Sequence, residues 1–123
     1  MESRSVGSVR IFSLNSAKVI ACLEEAAARL AEKKQEIMEM WLFGSLARGD
    51  AVPGSDADVL VILTESEKPF HERGLDYALD PCGVGVDLFA YTAAEFADLR
   101  ETRPRFHLTL MNERKLLYRR DAA

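Results

Sequence analysis

Sulfur, proline and long apolar runs are all scarce in this chain. Its 123 residues include two cysteines, four prolines and one tryptophan. Cys22 and Cys82 lie far apart and lack the C-x-x-C spacing of a zinc site or redox motif, so no disulfide framework is expected and a reducing cytoplasm fits. No stretch approaches the length needed to span a bilayer, which argues against a membrane protein. The opening MESRSVGSVRIFSL has an acid at position 2 and no apolar core, so no secretory signal is expected. A strong positive charge is missing too. The formal net charge is −4, and nucleic-acid binders usually show a basic footprint, so a nucleic-acid partner is not expected. The length predicts one domain over residues 1–123, with a real core and no room for a second.

What is present is ordinary globular composition, with 48% apolar and 29% charged residues. The run from Ser16 to about Lys34 is alanine-rich, and Val19, Leu23, Ala26 and Leu30 recur at helical spacing, with Asn15 or Ser16 as cap. Ile37 to Phe43 and Ala57 to Leu63 are short and apolar, as buried strands are. A weaker helical pattern covers Phe70 to Leu79, and Val84 to Ala90 predicts a third strand. Thr92 with Glu95 three residues on forms a capping box for a helix over Ala93 to Glu101. A short helix over Phe106 to Met111 and a strand over Lys115 to Tyr118 close the chain, and Val9 to Phe12 is a candidate edge strand. The class is α/β (α+β): a small mixed sheet with flanking helices, its core at about residues 16–118.

The chemistry concentrates in Trp41 to Leu63, WLFGSLARGDAVPGSDADVLVIL. Gly44 lets a ligand approach the backbone, and Ser45-Leu46-Ala47-Arg48 starts a helical turn whose free N–H groups suit phosphate. Arg48 offers a guanidinium fork to a phosphate oxygen or, equally, a surface salt bridge. Further on, Asp56 and Asp58 are two residues apart at a strand's leading end, so their side chains share a face. Close carboxylates repel unless a cation neutralises them. Hard oxygen donors without a nearby His or Cys cluster favour magnesium or manganese, and magnesium binds one or two carboxylates together with substrate phosphates. Asp87 is a third acid, inside an otherwise apolar strand.

Gly44-Ser45, then Gly49, then Ser55-Asp56-x-Asp58, with Asp87 on a later strand, resembles the signature of the DNA polymerase beta-like nucleotidyltransferase superfamily. Within it, the small stand-alone minimal nucleotidyltransferases of prokaryotes match best. The resemblance implies the polymerase-beta-like palm fold. It implies that Asp56 and Asp58 ligate two Mg2+ ions, that Asp87 binds the catalytic ion and draws the proton from the attacking hydroxyl, and that Gly44 and Ser45 grip the β,γ-phosphates of an NTP. Ser55 is read as a cap or turn residue that holds Asp56. Minimal nucleotidyltransferases commonly pair with a HEPN-type toxin, which implies adenylyl transfer from ATP to a toxin tyrosine and an antitoxin role.

Two other readings stand beside it. One is an antitoxin that neutralises by docking alone, which the intact set of three acids argues against. The other is transfer to a small hydroxylated molecule, which usually needs a further helical domain. Between Arg100 and Arg120 lie Arg100, Arg103, Arg105, Arg114, Lys115, Arg119 and Arg120 against only Glu101 and Glu113. That segment is a solvated surface or a docking face for an acidic partner or nucleotide phosphates, and with the strand near Val9 it is a candidate homodimer or partner contact. His71 and His107 read as surface or boundary residues, Trp41 and Phe89 as core. The R-x6-H spacing of Arg100 and His107 is read as chance.

Overall fold

The computed structural model of the chain describes residues 15–121. The candidate strand near Val9 lies outside them. Helix α1 spans Ser16–Lys33, and Asn15 caps it by accepting the Lys18 N–H through its side chain. Strand β1 (Ile37–Phe43), the one-turn helix α2 (Ser45–Arg48) and strand β2 (Ala57–Leu63) follow. After a long connection come β3 (Val86–Thr92), α3 (Ala93–Thr102), α4 (Pro104–Glu113) and β4 (Lys115–Arg119). The four strands form one sheet in the order β3-β2-β1-β4. β2 and β3 are parallel, whereas β1 runs antiparallel to both β2 and β4.

Alternation along the strands divides the core in two. Val59, Val61 and Leu63 of β2 pack with Leu23, Ala27 and Ala31 of α1. Leu60 and Ile62, one residue out of phase, pack with Leu99 of α3 and Leu110 of α4. A strand shows successive side chains to opposite faces, so a run of apolar residues marks a strand covered on both sides. By the same count Asp58 shares its face with Leu60, and Asp87 shares its face with Phe89 and Tyr91. Both acids therefore project on the α3–α4 side.

The connection from β2 to β3 crosses the α1 face, where Tyr77 is buried and Leu79, Cys82 and Val84 pack against the core. Its first part is not the helix expected over Phe70 to Leu79 but a single 3-10 turn, Phe70–Glu72. Gly74 interrupts the pattern there, and Arg73 turns inward and is 3% exposed. The Arg73 guanidinium donates to the Lys68 and Ala90 carbonyls and to both Glu95 carboxylate oxygens, so the buried charge is fully partnered.

One further expectation is corrected. Cys22 and Cys82 are joined in a disulfide, with Cα atoms 5.7 Å apart. The fold lays the β2–β3 connection along α1, where Arg29 also pairs with Asp80 at 2.9 Å, and sequence separation hid this proximity. Trp41 packs half-buried against the α3–α4 side of the core, as expected, with the Arg114 and Arg119 guanidinium groups over its ring at 4.5 and 5.5 Å. Phe89 is half-buried in the same cluster, packed against Phe43 and Phe106. Elsewhere the differences are of boundary. β3 begins at Val86 rather than Val84, and α4 extends from Pro104, at its first turn, to Glu113.

Candidate active site

Strand register builds the site. Asp58 is the Cα partner of Asp87 across the parallel β2–β3 pair and of Phe43 across the antiparallel β1–β2 pair. Asp56 comes two residues earlier, just before β2. The end of β1, the start of β2 and the start of β3 thus meet at one end of the sheet, and each contributes part of the candidate site.

Gly44 joins β1 to α2 with φ +81° and ψ −159°, a conformation essentially reserved for glycine. A side chain there would also run into the Asp58 carboxylate, since a Cβ built on Gly44 overlaps Asp58 Oδ2. Close approach of backbone to carboxylate is the physical need for this glycine. Gly85 plays the same part for Asp56: a Cβ built on it would lie 2.5 Å from Asp56 Oδ1. Its own carbonyl accepts the Ala57 N–H at 2.8 Å, which fastens the start of β3 to the start of β2. The loop before Asp56 is closed by Ser55, which accepts the Val52 N–H through its hydroxyl and donates its own N–H to the Val52 carbonyl. This is the turn role expected of Ser55.

Electrostatics reveal crowding of negative charge. Asp58 is half-buried, and its pKa is raised first by burial, then by the neighbouring charges of Asp87 and Asp56. Arg48 opposes that rise and Glu113 adds to it. Among the described residues no three acid, His or Cys side chains converge tightly enough to hold an ion as they stand. Asp58 leans towards Gly44 and Asp56 against Gly85, spread as like charges spread. The donor set itself, three carboxylates on adjoining strand ends with backbone clearance from two glycines, fits a hard divalent cation.

Residues 23–117 match the family model described as nucleotidyltransferase domain. The chain belongs to that family. No curated relative matches the nucleotidyltransferase by sequence. Among solved structures, it is similar to a candidate nucleotidyltransferase from Sulfolobus solfataricus, with 19% identity, TM-score 0.62, and 85% of this chain and 84% of the other covered. It is also similar to a toxin–antitoxin structure with AMP-PNP, with 21% identity, TM-score 0.51, and coverage of 88% and 76%. A mutant of the MntA-HpeT toxin–antitoxin gives 19% identity, TM-score 0.50 and the same coverage. These likenesses bear out the mixed-sheet, polymerase-beta-like fold.

The β1–α2 turn carries Gly44, Ser45 and Arg48, and the starts of β2 and β3 beside it carry Asp56, Asp58 and Asp87. Arg48 is exposed, and it makes salt bridges to Asp50 at 3.2 Å and to Glu113 at 3.0 Å. His71 and His107 lie elsewhere, the first on the surface beside Glu72 and the second against Phe96.

Sequence reasoning missed Gly85 and Glu113. The glycine just ahead of an acid-bearing strand was the signal for the first. For the second it was an isolated acid in a basic C-terminal stretch. Glu113 Oε1 accepts both the Gly44 N–H, at 3.1 Å, and an Arg48 N–H.

Proposed function

We propose that this nucleotidyltransferase moves AMP from ATP to a hydroxyl, that of a tyrosine on a HEPN-type toxin, and thereby acts as the antitoxin. The observation that carries the reading is the pairing of Asp58 with Asp87 across β2 and β3, with the Gly44 turn set against Asp58. The likeness to toxin–antitoxin structures, one with AMP-PNP, supports the nucleotide and partner class. Residues 1–123 act as one domain in this reading.

Asp56 and Asp58 would hold two Mg2+ ions, and Asp87 would hold the catalytic one. Bound there, such ions polarise the α-phosphoryl group and steady the attacking and leaving oxygens. The chain's own residues do the positioning. Gly44 and Ser45 present N–H and hydroxyl donors to the β,γ-phosphates, and Arg48 adds its guanidinium. Asp87, exposed at the start of β3, accepts the proton of the acceptor hydroxyl. The hydroxyl oxygen then bonds to the α-phosphorus, the bond from that phosphorus to the bridging oxygen breaks, and pyrophosphate leaves. Reactions of this kind are accelerated by alignment and charge placement and need no protein nucleophile.

The test is transfer of label from α-labelled ATP with magnesium, with and without the product of the neighbouring open reading frame. Label on that partner, lost together with neutralisation in Asp56→Asn/Asp58→Asn, is the expected result. Neutralisation that survives the double substitution would replace transfer by docking as the mechanism.

A further inference from the structure

We propose that Glu113 occupies the place of substrate phosphate in the cradle formed by Gly44 and Arg48, and that it sets nucleotide affinity by having to leave. This rests on the reading of Gly44 to Arg48 as the phosphate site. One carboxylate oxygen, Oε1, accepts from the Gly44 amide at 3.1 Å and from Arg48 Nη1 at 3.0 Å. A backbone N–H and a guanidinium converging on one anionic oxygen is how phosphate oxygens are held.

The position of Glu113 favours this role over that of an ordinary stabilising pair. It is the last residue of α4, where the helix dipole disfavours an acid and no basic residue occupies the last turn. Its partners, the Gly44 amide and Arg48, offset that penalty. The pair is partly open to solvent, with Arg48 44% and Glu113 21% exposed at the side chain, so it is weak enough for a polyphosphate to displace. Arg48 Nε meanwhile remains on Asp50 at 3.2 Å, so the guanidinium stays in place when Nη1 changes partner. The backbone leaves the helix immediately after Glu113, at Arg114 with ψ 143°.

The experiment measures the dissociation constant of a non-hydrolysable ATP analogue with Mg2+ for the intact protein, Glu113→Gln, Glu113→Ala and Asp50→Asn, each first checked for folding by circular dichroism. Both Glu113 variants are expected to bind about 5- to 10-fold more tightly, the scale of one partly exposed charge-assisted contact. Asp50→Asn removes the same charge from the same guanidinium without touching the Gly44 amide, and its change is expected to stay below about 2-fold. Equal or weaker binding by the Glu113 variants, with the intact protein binding normally, overturns the proposal and leaves the site reading standing. The same follows if Asp50→Asn matches their gain. Folded proteins of which none binds nucleotide would overturn the site reading and this inference with it.

Discussion

Replacing Gly85 by alanine separates function from stability in this protein. Gly85 is not among the glycines with positive φ, so alanine adopts its backbone conformation without strain. The new Cβ would stand 2.5 Å from Asp56 Oδ1, whereas ordinary contact begins at 3.4 Å, so the carboxylate must retreat by about 1 Å. Asp56 is exposed and its carboxylate ends a flexible side chain, so the retreat is cheap in stability. The loss of chain freedom in the unfolded state, about 0.4–1 kcal/mol in favour of alanine, roughly cancels it. In the proposed function Asp56 holds metal, and for such positioning chemistry a displacement of about 1 Å lowers rates by about 100-fold. Expected, then, are a Gly85→Ala protein with a Tm within a few degrees of the parent, Mn2+ affinity lowered by about 10-fold, and nucleotidyl transfer down by about 100-fold. Calorimetry, Mn2+ titration and label transfer from α-labelled ATP read these in turn. Transfer within about 3-fold of the parent would refute the account of Gly85 as the residue that gives Asp56 its place. So would a stability loss above about 2 kcal/mol, which would make the glycine a structural requirement instead.

Two other perturbations test the frame around the site. The Glu95 pKa is held at about 2, first by its hydrogen bonds from Arg73. A depressed carboxylate stabilises the fold above its unfolded pKa, near 4.5, and the benefit disappears as pH falls through about 2. With the Glu95 side chain 42% exposed, solvent screening reduces the contribution to about 1–2 kcal/mol. The parent should lose that much relative to Glu95→Gln between pH 5 and pH 2 in urea titrations, and a constant gap would refute the assignment. The Cys22–Cys82 link closes a loop with a sequence separation of 60. Cys22→Ser should therefore lower stability by about 2–4 kcal/mol under oxidising conditions and by little under thiol reductant. Equal losses in both would show that the two sulfurs contribute only through packing, as thiols do in a reducing cytoplasm.

Legibility in the sequence follows the range of the interaction responsible. The Asp56-x-Asp58 pair, the Gly-Ser turn and the capping box of Thr92 and Glu95 are local patterns whose spacing carries the physics, and the strand register then sets Asp58 opposite Asp87. The capping box is complete in both directions, with the Thr92 N–H on Glu95 and the Glu95 N–H on the Thr92 hydroxyl. Residues joined across the chain left no such pattern. Arg73 meets Glu95 from another element, Cys22 meets Cys82 across 60 positions, and Glu113 meets Gly44 across 69. Only a fold that lays α4 beside the β1–α2 turn reveals the last pair.

That distinction has a mechanistic side. Local motifs give this nucleotidyltransferase its donors: carboxylates on one strand end, amides and a guanidinium on the neighbouring turn. Left alone, opposite charges this close would meet, and Arg48 does lower the Asp58 pKa against the pull of burial and of Asp87. Glu113 and Asp50 keep the guanidinium engaged from the far side. Arg48 is thereby kept off Asp58, with Nε on Asp50 and Nη1 on Glu113. A long-range contact invisible in the sequence thus holds the two locally legible halves apart, and in the proposed function the phosphate half opens to a triphosphate only when Glu113 leaves it.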